Sequence, residues 1–271
     1  MDFLATLLFL QLFLLQHKIR ALKLKHIRVP PYIFINERPH LVCSYDLESD
    51  ILYSVTWYKD DEEFFKYEPK GNVNRIVPGV EGVNLKHHSS DGKEVTLEKV
   101  SLHTGGVYKC DVIADAFNFP SVQAEAYMEV VVPPNSNPRI TGEERIYASG
   151  DILTLNCTSD KSYPQARINW FINGVKVNPD SETLVTHQEL LLSTVSSLRL
   201  ELGPDHLAAG QMIVRCESVV TTSDRVTEPL IDSRDTQVFV QGKAGTPSPN
   251  TLLLAALLLH RIAHLGDMGG R

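Results

Sequence analysis

Two tryptophans, each set between a pair of widely spaced cysteines, constrain this chain more than any other feature. Its 271 residues include four cysteines and two tryptophans, in the order Cys43, Trp57, Cys110 and then Cys157, Trp170, Cys216. The tryptophans follow their first cysteines by 14 and 13 positions, and the cysteine intervals are 67 and 59. No two cysteines stand close enough to seed a C-x-x-C zinc or redox site. Four cysteines can pair in more than one way. The repeated order selects Cys43 with Cys110 and Cys157 with Cys216.

In an immunoglobulin-type sandwich the paired cysteines sit on strands B and F of opposite sheets, and a tryptophan on strand C packs on their disulfide. Closing loops of this length stabilises each unit by about 4 kcal/mol in the chain-entropy model. The expected fold is therefore all-β, two tandem immunoglobulin-like β-sandwiches. The longer first interval leaves room for the extra strands of a variable-type domain, and the second reads as constant or intermediate type. Local patterns agree. Val55 and Trp57 alternate with Thr56 and Tyr58, and Val95 alternates with Leu97. Tyr108 stands two residues before Cys110, the tyrosine-corner position, whereas Val214 occupies the matching place in the second half. Leu198, Leu200 and Leu202 alternate, and Asn173-Gly174 marks a two-residue hairpin.

The first domain is read as 22–132, a proline-stiffened linker as 133–138 and the second domain as 139–241. Residues 1–21 read as a signal peptide, with an apolar run from Phe3 to Leu15 too short to span a bilayer. Lys18, Arg20, Lys23 and Lys25 follow that run, as in a signal anchor, but a paired cysteine framework belongs to an oxidising compartment. Residues 242–271 read as a stalk and a short hydrophobic tail. Two readings of the tail stand side by side: a lipid-anchor (GPI) signal, and the plain end of a secreted chain. Either way the chain is placed outside the cell or on the outer face of the plasma membrane.

A net charge of −7 carries no basic footprint for nucleic acid. The chain contains no phosphate loop, nucleophile elbow or H-E-x-x-H motif, so neither an enzyme nor a cofactor is expected. His87-His88 reads as a loop pair with diverging side chains. Two acidic groups, Asp46/Glu48/Asp50 and Asp60/Asp61/Glu62/Glu63, fit no spaced calcium loop and read as solvated charge in the B–C and C–C′ loops. Asn156-Cys157-Thr158 is the one N-x-S/T acceptor sequence, with Asn156 pointing away from the core because Cys157 points in.

Binding is the better search. The outward residues of the sheet carrying strands C, C′, F and G would include Tyr58, Phe65, Tyr67, Lys109, Asp111 and Ile113, joined by Phe117 in the loop 115–119. One of Phe64 and Phe65 must face the core, and parity alone does not choose between them.

Several strings go beyond a generic immunoglobulin pattern. Leu41-Val42-Cys43-Ser44-Tyr45-Asp46-Leu47-Glu48-Ser49-Asp50, then Trp57-Tyr58-Lys59, Glu63-Phe64-Phe65-Lys66-Tyr67-Glu68-Pro69 and Trp170-Phe171-Ile172-Asn173-Gly174, resemble the Beaten path family of neuronal immunoglobulin proteins. The likeness covers most of residues 24–220, with departures at Thr104-Gly105 and Phe117-Asn118. It implies heterophilic binding, mainly through the first domain, to an immunoglobulin receptor of the Sidestep type in axon guidance and neuronal recognition. A secreted immune-recognition or decoy protein and a homophilic adhesion protein are the alternatives.

Overall fold

Residues whose side chains alternate between water and a core must form strands, and the Cys–Trp–Cys positions decide which parity is inward. A computed structural model describes residues 22–243 except 72, 90, 145, 227 and 228 and the side chain of Val73. The leader 1–21 and the tail beyond Lys243, with its candidate anchor signal, lie outside the described residues.

The first sandwich contains β1 (Lys23–Arg28), β2 (Tyr32–Phe34), β3 (His40–Asp46), β4 (Leu52–Lys59) and β5 (Glu62–Glu68). It continues with β6 (Val73–Ile76), β7 (Leu85–His88), β8 (Glu94–Leu97), β9 (Gly106–Ala114) and β10 (Ser121–Val131). One sheet runs β1-β3-β8-β7 and the other β2-β10-β9-β4-β5-β6. The strands β5 and β6 are the additions that distinguish a variable-type sandwich.

The second sandwich contains β11 (Arg139–Thr141), β12 (Ile146–Tyr147), β13 (Ile152–Thr158), β14 (Arg167–Ile172) and β15 (Val175–Val177). It is completed by β16 (Ser181–Thr186), β17 (Leu192–Glu201), β18 (Gln211–Thr221) and β19 (Ile231–Gly242). Its sheets run β11-β13-β17-β16 and β12-β19-β18-β14-β15, an intermediate arrangement with one strand beyond β14. The β14–β15 hairpin turns on Asn173 and Gly174, both at positive φ, as a two-residue turn of this hand requires.

Disulfides join Cys43 to Cys110 and Cys157 to Cys216, bridging the two sheets of each sandwich. Trp57 lies directly across from Cys110, and Trp170 from Cys216. Both indoles are buried and both donate: Trp57 Nε1 to the Gly92 carbonyl at 3.0 Å, Trp170 Nε1 to Ser196 Oγ at 3.0 Å. Gly92 is at positive φ, and a Cβ there would sit 2.8 Å from Tyr67 Cβ, so the loop closes over the core only with glycine.

The junction between the sandwiches is fastened on both sides. Val132 and Tyr163 exchange backbone hydrogen bonds of 2.7 and 2.9 Å. The buried Glu129 carboxylate accepts from Ser223 N–H at 2.9 Å and from its hydroxyl at 2.5 Å. Asp160 accepts from the N–H groups of Asn135 and Ser136 and from the Ser136 hydroxyl, so the proline linker is tied down by side chains as well as by its rings.

Tyr108 is fully buried, and its hydroxyl donates to the Thr104 carbonyl at 2.7 Å. Burial pushes the phenol pKa up, with the Asp60 charge adding to it. Replacing Tyr108 with Phe is expected to cost about 1–2 kcal/mol through the stranded carbonyl. Guanidinium unfolding should show a lower midpoint at unchanged slope for the first domain. An unchanged midpoint would remove this brace from the account of its stability.

Candidate interaction face

The outward surface of the six-stranded sheet follows from cross-strand register. Trp57 and Cys110 point inward, so their neighbours point out. Thr56 pairs with Asp111 and Lys66, Tyr58 with Lys109, Ser54 with Ile113, and Gln123 and Glu125 with Asp111 and Lys109. Of the residues expected on this face, Tyr58, Lys109, Asp111 and Ile113 lie on it.

Phe65 and Tyr67 do not. Phe65 is 0% exposed and pairs with Trp57, while Tyr67 pairs with the buried Val55 and packs partly buried against the core. The cause is an irregularity in the β4–β5 ladder. Trp57 faces Phe65 but Tyr58 faces Glu63, which leaves Phe64 as an extra residue. Strict alternation fails there, and Phe64 and Phe65 are both buried. The Phe64 ring meets Tyr108 edge-on at 6.2 Å, and the Phe65 ring lies 4.9 Å from His88. His87-His88 is likewise corrected. The pair lies in β7 rather than in a loop, and a register shift leaves the two rings nearly parallel, 6.3 Å apart.

Most charges on the face are matched locally. Lys66 pairs with Glu68 at 2.6 Å, Arg75 with Glu63, and Lys109 with Asp61 while also lying over the Tyr58 ring at 4.9 Å. The contacts with Glu68 and Asp61 raise the pKa values of Lys66 and Lys109. Asp111 differs. It is half-buried, makes no ion pair among the described residues, and burial raises its carboxyl pKa against the opposing pull of Lys109 and Lys66.

At one end the face runs into an apolar tip. Phe117 is 92% exposed, Ile51 66%, Phe119 55% and Tyr53 36%. Tyr53 and Phe119 meet edge-on with ring centroids 5.2 Å apart. Asn118 and Phe119 are both at positive φ, a costly conformation for a bulky residue. Backbone bonds from Ala114 to Pro120 and from Phe119 to Ala116, with the Lys70–Asp115 pair, hold the loop in that shape. Sequence reasoning missed Ile51 and Tyr53. The signal was Ile51-Leu52-Tyr53, three apolar residues in a row where a strand has room inside for alternate ones.

Part of each acidic group is paired rather than free, and Asp46 ends β3 while Glu62 and Glu63 open β5 instead of lying in loops. Lys23 pairs with Glu48 and Lys25 with Asp46, tying β1 to the end of β3. Asp60 accepts from Lys59 Nζ at 2.6 Å and from Val107 N–H at 2.8 Å. Among the described residues no group of three or more His, Cys, Asp or Glu is placed to hold a metal ion. Asn156 is exposed on the outer side of β13, with its Oδ1 accepting from the Ser197 hydroxyl at 2.7 Å.

The CD80-like C2-set immunoglobulin domain family matches residues 134–223. Cell adhesion molecule 2 of Xenopus tropicalis is 34% identical over 140 residues, covering 51% of this chain and 29% of that protein. Kin of IRRE-like protein 3 of Homo sapiens is 29% identical over 151 residues, covering 54% of this chain and 18% of that protein. The chain thus spans less than a third of the length of these curated relatives. Among solved structures, the crystal structure of Rst D1-D2 aligns with a TM-score of 0.54 at 20% identity, covering 83% of this chain and all of that one. The fold is that of tandem immunoglobulin domains, and the sequence similarity is to immunoglobulin-superfamily adhesion proteins.

Burial pushes the Asp60 carboxyl up, but the Lys59 and Val107 hydrogen bonds outweigh it and hold the pKa below the usual value. A depressed carboxylate contributes stability above its unfolded pKa of about 4, and that contribution is lost as pH falls through the lower folded value. The stability gap between wild type and Asp60→Asn should therefore be widest at neutral pH and shrink below about pH 4. A gap that stays constant in acid would assign Asp60 a purely geometric role.

Proposed function

We propose that this chain is an extracellular recognition protein that binds a Sidestep-type immunoglobulin receptor heterophilically, in axon guidance and neuronal adhesion. The observation that carries the reading is the outer face of the first domain. It is an open sheet centred on Tyr58, Asp111 and Ile113 that continues into an exposed aromatic tip. Exposed aromatics at the edge of a sheet are the residue types that supply most of the binding energy in protein contacts. The Beaten path resemblance supplies the receptor class, and the similarity to cell adhesion molecule 2 supports the broader adhesion role.

Under this reading the first domain docks face to face with a receptor domain, and the second domain, joined through the fastened junction, holds it away from the point of attachment. Among the described residues no helix is long and apolar enough to cross a membrane. Asn156 would carry a glycan on the four-stranded sheet of the second domain, away from the proposed face.

The test is surface binding of the purified, disulfide-bonded chain to cells displaying Sidestep-type ectodomains. Saturable binding to one of them is expected. Tyr58→Asp and Phe117→Asp should each weaken it by about tenfold or more, the loss typical of a contact hot spot. Phe239→Asp, at an exposed aromatic of the second domain, should leave it unchanged. Binding that resists both first-domain changes would move the contact elsewhere, and no binding to any Sidestep-type ectodomain would remove the receptor assignment.

A further inference from the structure

We propose that Asp111 sets partner choice on this face by receiving a basic side chain from a different protein, and that the same carboxylate bars docking of a second copy. The inference rests on the reading of the first-domain sheet as the contact surface and adds the chemistry of what meets it.

Three observations carry it. Asp111 lies mid-sheet, between Thr56 on β4 and Gln123 on β10, where neither neighbour brings a positive charge. The face's own cations are engaged, Lys66 by Glu68, Lys109 by Asp61 and Arg75 by Glu63. Asp111 is itself half-buried, so its carboxylate is only partly hydrated in the free protein. A donor-rich cation relieves it, and a planar guanidinium can serve both carboxylate oxygens at once.

A second copy offers only the face's own cations, Lys66, Lys109 and Arg75, which Glu68, Asp61 and Glu63 already hold. A two-fold axis passing at Asp111 sets Asp111 against Asp111. Burying two like charges together works against association, which is a common means of excluding a wrong partner. Glu125, the neighbouring unpaired acid, is exposed and bears no such burden.

The experiment pairs sedimentation with binding. The full chain is sedimented at high micromolar concentration, and wild type, Asp111→Asn and Glu125→Gln are each tested against a displayed panel of Sidestep-type and other cell-surface immunoglobulin ectodomains. Circular dichroism melting confirms that both variants fold. The expected result is a monomer whose binding weakens at least tenfold in Asp111→Asn and less than twofold in Glu125→Gln. That pattern on an ectodomain outside the Sidestep type would uphold the inference while the receptor assignment fails. Sidestep-type binding that survives Asp111→Asn within twofold would overturn the inference while leaving the receptor assignment standing. A wild-type dimer broken by Tyr58→Asp, or a monomer that binds nothing on the panel, would overturn it as well.

Discussion

The disulfide that bridges the two sheets of each sandwich, with a tryptophan set directly across from its second cysteine, orients everything else in the molecule. Once Cys43, Cys110 and Trp57 point inward, the two-residue period of a strand assigns a side to each residue that stays in register with them. Val55 and Val112 join the core, while Thr56, Lys109, Asp111 and Ile113 are turned outward. A shift of register by one residue would bury Asp111 and expose Cys110, so the hydrophobic pattern and the covalent cross-link enforce the same arrangement. The outward direction of the face is thus a consequence of the core.

The same logic explains how much of the molecule was legible in the sequence. Strand identity, sheet count and the outward direction of β9 could be read because Gly106–Ala114 keeps strict alternation around Cys110. Parity fails where a ladder gains a residue. At Phe64 the extra residue turns both phenylalanines inward and carries Tyr67 with them; at Tyr53 a second irregularity, between Leu52 and Ser54, throws an aromatic ring outward. A bulge depends on the partner strand, and of these two only the one at Tyr53 left a local trace, the apolar run Ile51-Leu52-Tyr53. The acidic groups were opaque for a related reason. Asp46 and Glu48 look solvated until β1 is folded beside them, and Asp60 until Val107 arrives from a distant strand.

Charge within the junction follows a different rule from charge on the surface. Glu129 is buried, and a buried carboxylate is tolerated only when donors replace the water it has lost. Ser223 supplies two, from the opposite domain. Arg225, two residues on, lies over the Tyr127 ring at 5.4 Å. Separating the domains would leave Glu129 to be solvated afresh and break the Val132–Tyr163 exchange, so bending at the linker opposes several interactions together. The prolines of the linker marked where the chain changes domain, but these partners come from segments far along the sequence. A face on such a support is presented in a fixed direction, which would lower the entropy lost on docking to any partner.

The outer faces of the two domains differ in how completely they satisfy themselves. On the second domain Arg215 stacks on Phe171 at 3.9 Å, and Glu217 is held by Asn169 and Ser233, with Arg215 also in reach. Its unpartnered buried hydroxyl, Ser218, lies on the core side opposite Ile168, where no partner protein can reach it. On the first domain the carboxylate of Asp111, without an ion pair among the described residues, is on the outward side of a face that runs into an aromatic tip held in a strained turn. A polar group left wanting at a surface favours whatever supplies its missing contact, whereas a face already satisfied gains little from being covered. That contrast adds a second physical reason, beside the aromatic tip, for proposing recognition on the first domain and support on the second.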